Sequence, residues 1–81
     1  MLQTIKKAAY ANKTVLIAVR KQNGNVVTRE IEPYSLNYEK GKLYLLCWDR
    51  HKNGIRKYRP TLILRAVETP NTFIPKQRIK I

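Results

Sequence analysis

Three turn signals cut this chain into segments that leave room only for one short helix and a set of short strands. Gln22-Asn23-Gly24-Asn25, Glu39-Lys40-Gly41-Lys42 and the polar stretch from Asp49 to Gly54 each interrupt an apolar run. Asn-Gly, at 23–24 and again at 53–54, is the strongest short hairpin signal, because both residues tolerate positive φ. Between the turns the hydrophobic period is two. Val15, Ile17 and Val19 share one strand face, with Leu16, Ala18 and Arg20 on the other. The returning strand, residues 26–32, puts Val27, Arg29 and Ile31 on one side. Pro33 has no N–H to give to a ladder and is expected to bend or edge the chain before Tyr34-Ser35-Leu36-Asn37-Tyr38. Residues 43–48, Leu-Tyr-Leu-Leu-Cys-Trp, are apolar on both faces, as in a central strand covered on both sides. Residues 55–59 return, Pro60 interrupts, and residues 61–68 make a last strand through Leu62, Ile63, Leu64 and Val67.

Ahead of these strands, residues 2–12 read as a helix with Leu2, Ile5 and Ala9 on one face. Three turns are marginal in water, so the helix must pack on the sheet. The fold class that follows is mainly β: a small five-stranded antiparallel SH3-like or Sm-like barrel with one N-terminal α-helix, an OB-fold being the nearest competitor. Rolling the sheet up is the economical way to manage its edges. Residues 1–73 form the single domain expected of 81 residues, and residues 74–81 a basic C-terminal tail. A chain of this size buries only about 60% of its unfolded surface, so its stability is modest. No apolar run is long enough to span a bilayer, and residues 1–13 hold no apolar signal core. One cysteine, Cys47, excludes an internal disulfide and suits a reducing, cytoplasmic setting.

Charge narrows the function. Seventeen Lys and Arg against five Asp and Glu give +12. Self-repulsion at that density costs stability, and a polyanionic partner is the usual reason to bear it: nucleic acid first, an anionic membrane second.

The order of the residues also resembles a known family. Arg29-x-x-Glu32-Pro33-Tyr34-x-Leu36, then Gly41-x-Leu43-Tyr44-Leu45, Trp48-Asp49, and Gly54-x-Arg56-x-Tyr58-Arg59 are similar to the WYL domain, named for a Trp-Tyr-Leu tripeptide that here reads Leu43-Tyr44-Leu45. The resemblance runs from the helix to about Phe73. It implies an Sm-like, SH3-like barrel and a non-enzymatic regulatory module for transcription or defence, binding nucleic acid or a nucleotide ligand. Matching the family's basic and aromatic pocket brings over Tyr44, Arg56, Arg59 and Arg29. The sequence departs from the family at Leu43, where Trp is usual, and at Pro60-Thr61, where Leu-Asp is usual. A stand-alone form without the family's helix-turn-helix is expected, of a kind that suits a phage or mobile-element accessory protein.

The residues themselves point to the same surface. Arg56-Lys57-Tyr58-Arg59 alternates cations with an aromatic, and Tyr44 joins it if its strand is the neighbour. Guanidinium forks pair bidentately with phosphate, and aromatic faces stack on unpaired bases, which favours single-stranded DNA or RNA. Against this stands barrel packing by the tyrosines and plain solvation of the arginines. Trp48, Tyr34 and Tyr38 read as packing residues, and Arg29 as a cap on the barrel. Catalysis is not expected: the lone His51 lies in a turn, Cys47 sits mid-strand, and the five carboxylates are scattered. No metal cluster or phosphate-cradling glycine loop is present in the sequence, so no cofactor is expected. The alternative is a protein-interaction accessory that docks on a polymerase, nuclease or repressor. Its anchors would be Phe73, Ile74, Ile79 and Ile81, exposed near the tail. A homodimer joined at a strand edge fits either case.

Overall fold

In the computed structural model, which describes all 81 residues, helix α1 (Leu2–Tyr10) precedes five strands. These are β1 (Lys13–Arg20), β2 (Val26–Glu39), β3 (Lys42–Asp49), β4 (Gly54–Tyr58) and β5 (Ile63–Thr72). A 3-10 turn, Pro60–Leu62, joins the last two. All pairings are antiparallel, and the strand order is β4-β3-β2-β1-β5. Strands β4 and β5 lie at opposite ends of that order and do not pair. The expected barrel is therefore a single open sheet.

Alternation along β1 and β2 sets the core. Val15, Ile17 and Val19 are buried together with Ile31 of β2, Leu45 and Cys47 of β3 and Ile63 of β5. Ile5 and Ala8 of α1 join this cluster. The helix ends two residues short of the expected limit. Asn12 takes up left-handed φ (54°), and its Nδ2 donates to the Ala9 carbonyl at 3.3 Å, closing the last turn and aiming the chain into β1.

Strand β2 runs unbroken through Pro33. Pairing with β1 stops at Val15–Ile31, so no β1 carbonyl faces Pro33 for want of a donor. The ladder to β3 continues on the other side, with a register shift between Pro33 and Ser35 that marks a bulge. The first half of β2 thus belongs to β1 and the second half to β3.

The hairpins differ from the Asn-Gly expectation. Positive φ at two successive residues occurs only at Lys40 (53°) and Gly41 (77°), the two-residue turn that brings Glu39 opposite Lys42. At 23–24 only Gly24 is left-handed, because the loop between Arg20 and Val26 is five residues long and Asn23 Oδ1 accepts the Asn25 N–H at 2.9 Å. At 53–54 only Asn53 is left-handed.

Strand β3 is covered fully on one face only. Leu45, Cys47 and Asp49 are buried, while Tyr44, Leu46 and Trp48 on the other face are half-buried. That outer face is roofed by single cations: Arg59 lies 5.5 Å from the Tyr44 ring centre and Lys76 Nζ 4.7 Å from that of Trp48. Tyr34 is fully buried, as expected of a packing residue. Tyr38 is not: beside the Lys40–Gly41 turn it is 76% exposed, beyond the reach of the core.

The C-terminal segment returns to the sheet. Phe73 is buried edge-on against Tyr34, with ring centres 5.8 Å apart. Glu32, buried on β2, accepts from Tyr34 Oη at 2.9 Å, Lys76 Nζ at 2.8 Å and Arg50 Nε at 3.1 Å. Burial pushes the Tyr34 phenol up to about 12. Lys80 N–H donates to the Tyr34 carbonyl at 2.8 Å, and Tyr10 Oη donates to the Ile81 carbonyl at 2.9 Å. Of the four apolar anchors expected to be exposed, Phe73 is buried, Ile79 and Ile81 are half-buried, and only Ile74 projects into solvent.

Candidate nucleic-acid interface

Antiparallel hairpins place alternate loops at the same end of a sheet. The β1–β2 loop and the β3–β4 loop therefore meet, and between them opens a cavity of about 450 Å³. Arg29, Arg56, Lys57, Tyr58 and Arg59 all line it. Tyr44 does not. The register pairs Leu45 with Tyr58, so Tyr44 and Tyr58, on adjacent strands, face opposite sides of the sheet. Arg59 links the two surfaces, lining the cavity while its guanidinium covers the Tyr44 ring.

Three further cations line the cavity: Arg20, Lys21 and Lys52. They sit at strand ends and in loops, where no periodicity marks them; the only signal in the sequence is their place beside the two Asn-Gly turns. The apolar floor is made by Val19, Val27, Leu62 and the Tyr58 ring. No carboxylate lines it.

Asp49 organises the wall behind. Its side chain is fully buried, and it accepts hydrogen bonds from Tyr58 Oη, from His51 N–H at 2.8 Å and from Lys52 N–H at 3.1 Å. Burial alone would raise the Asp49 pKa. The bonds from Tyr58, Lys52 and His51, with the charge of Arg29, outweigh it and hold the carboxyl below its usual range. Burial and the Asp49 carboxylate push the Tyr58 phenol up, so this hydroxyl stays protonated and committed to Asp49. The Tyr58 ring is thus a fixed wall.

Arg29 enters from β2 on the core-facing side. Its Nε lies 4.0 Å from Asp49 Oδ2, an ion pair without a hydrogen bond, and its side chain is 15% exposed. The Nε atoms of Arg29 and Arg59 are the two buried side-chain polar atoms in the molecule that have no hydrogen-bond partner. Both belong to this cavity. Both nitrogens are shut off from solvent, so it is the terminal guanidinium nitrogens of these residues that can meet an acceptor.

Part of the charge is neutralised, at Lys57 of the cavity and elsewhere. Glu30 pairs with Arg50, Glu32 with Arg50 and Lys76, and Glu39 with Lys57. Four of the seventeen Lys and Arg have a carboxylate within 4.0 Å, leaving thirteen without one. No three His, Cys, Asp or Glu side chains converge as a metal-ligand set. What the arrangement can hold is an anion.

A small antiparallel sheet with a cation-lined recess defines a binding domain. Residues 1–68 match the profile of the WYL domain, and the chain belongs to that family. WYL domains are regulatory rather than catalytic and are associated with binding nucleic acids or other ligands. Proteasome accessory factor B/C (PafBC) of Arthrobacter aurescens superposes on 93% of this chain with a TM-score of 0.83 at 22% identity. The chain spans 12% of that protein, and the likeness is one of fold. No curated protein matches it in sequence. No helix here is long and apolar enough to cross a membrane.

Proposed function

We propose that this chain is a regulatory WYL domain that binds nucleic acid, single strands in preference, through the cavity between its β1–β2 and β3–β4 loops. One observation carries the reading: seven cations and no carboxylate line this recess. Arg56 and Arg59 supply forks for phosphate. Tyr58, Val19, Val27 and Leu62 supply the apolar surface against which a base or sugar packs. Tyr44, under Arg59 on the opposite face of the sheet, offers a second ring to a strand that leaves the recess.

Fluorescence anisotropy of labelled single-stranded DNA, single-stranded RNA and duplex DNA at several salt concentrations tests this directly. Five phosphate contacts give a log–log salt slope of about −3.5 for a single strand. Arg56→Ala is expected to weaken binding to every strand. Weak binding that is indifferent to Arg56 would refute the proposal.

A further inference from the structure

Resting on that reading, the charge of the lining and the burial of Arg29 say which part of a nucleotide the cavity takes. Arg29 is a recessed cation of this cavity. The side chain is 15% exposed, one terminal nitrogen already donates to the Thr28 carbonyl at 2.9 Å, and Nε has no acceptor at all. Asp49 holds the guanidinium in place from 4.0 Å, but its oxygens are occupied by Tyr58, His51 and Lys52. Nε is closed off from solvent, so a ligand meets Arg29 at its terminal nitrogens, and so recessed a guanidinium favours a group small enough to enter end-on.

A phosphodiester in mid-strand carries a sugar on each side and a single charge. A phosphate monoester is free on one side, presents three acceptor oxygens and carries about −1.5 to −2 at pH 7. Only the monoester reaches a recessed guanidinium without bringing two sugars with it. Its extra charge also suits a lining of seven cations that holds no carboxylate. The volume, about 450 Å³, falls in the range of small-molecule sites and is bounded by loops on two sides.

We infer that the cavity receives a phosphate monoester, the phosphorylated end of a nucleic-acid strand or a free nucleotide, with Arg29 as its inner contact and Arg56 and Arg59 at the mouth. The Tyr58 ring, with Val27 and Leu62, then flanks the attached sugar and base.

The test uses the full chain and matched single-stranded oligothymidylates bearing either a phosphate or a hydroxyl at the 5′ end, with the label at the 3′ end; a second pair reverses the ends. Thymidine monophosphate and thymidine serve as unlabelled competitors. A charge-assisted contact to the extra phosphate is expected to tighten binding about ten-fold at one end or the other. The monophosphate then competes and thymidine does not. In Arg29→Lys, which keeps the charge but loses the fork, the ratio between phosphate and hydroxyl ends is expected to fall below about two-fold. Arg59→Lys provides the same readout should Arg29→Lys fail to fold, which circular dichroism reports. A monophosphate that binds as tightly as the phosphorylated strand supports the inference and identifies a free nucleotide as the ligand. Strands that bind equally well with either end overturn the inference while leaving strand binding intact. Absence of binding by strands and monophosphate alike overturns both.

Discussion

Asp49→Asn is the most informative single change, because Asp49 both supports the fold and fixes two groups of the cavity. The substitution keeps the shape and removes the charge. Oδ1 can still accept from the His51 and Lys52 N–H groups, but as a neutral amide oxygen. The group facing Tyr58 becomes an NH₂, so the phenol must turn from donor to acceptor. Converting two charge-assisted bonds to neutral ones costs about 1 kcal/mol each, and the reversed Tyr58 bond adds up to about 1 kcal/mol more. A loss of about 2–3 kcal/mol follows, which for a domain of this size lowers Tm by roughly 8–20 °C. Urea unfolding at pH 7, followed by Trp48 fluorescence, measures it, and a double-mutant cycle with Tyr58→Phe isolates the shared bond. The pH dependence has a fixed sign. The folded pKa of Asp49 lies below its unfolded value, so its stabilisation is fully present above about pH 4 and is lost as pH falls through the folded pKa. The gap between wild type and variant must therefore narrow in acid. A variant within about 0.5 kcal/mol of wild type at pH 7, or a gap that widens below pH 4, would refute the assignment of Asp49 as the organiser of this end of the sheet.

Glu32→Gln is expected to cost about 2 kcal/mol and to loosen the C-terminal segment, since it weakens the bonds from Tyr34, Lys76 and Arg50 together; faster trypsin cleavage at Lys76 and Arg78 reports the second effect. Gly41→Ala meets no clash but must hold φ at 77°, so it is expected to destabilise by about 1 kcal/mol, whereas Gly54→Ala, with open space and no positive φ, stays close to neutral. Chemical denaturation of both variants decides between them. The Cys47 thiol is fully buried, and burial pushes its pKa up, so a thiol reagent is expected to label it only at the rate of unfolding.

Much of the fold was legible because it depends on local pattern. Period-two alternation in Val15-Ile17-Val19 and Val27-Arg29-Ile31 identifies the buried faces of β1 and β2, and the structure buries those apolar side chains wholly or in part. What local pattern misled about was the turns and Pro33. Asn-Gly forms a two-residue turn only when the flanking strands pair right up to it, and at Asn23-Gly24 pairing stops at Arg20–Val26. Pro33 looked like an interruption because a proline usually costs a ladder bond, yet at its position β2 has a partner on one side only. The cavity was half legible. Arg56 to Arg59 are contiguous and could be read as a run of cations, but Arg20, Lys21 and Lys52 reach it only through the alternation of loops across the sheet. The place of Tyr44 depended on the β3–β4 register, which sends it and Tyr58 to opposite faces.

The thirteen cations with no carboxylate beside them also govern how a ligand arrives. The molecule has a radius of gyration of 11.6 Å. At physiological ionic strength a charge is felt over about 8 Å, a shorter length. An approaching polyanion therefore senses mainly the cations on the side it meets. Encounter is fast and nearly indiscriminate, and it slows as salt is added. Selectivity between ligands then resides in how long each one stays, so related ligands will differ chiefly in their dissociation rates.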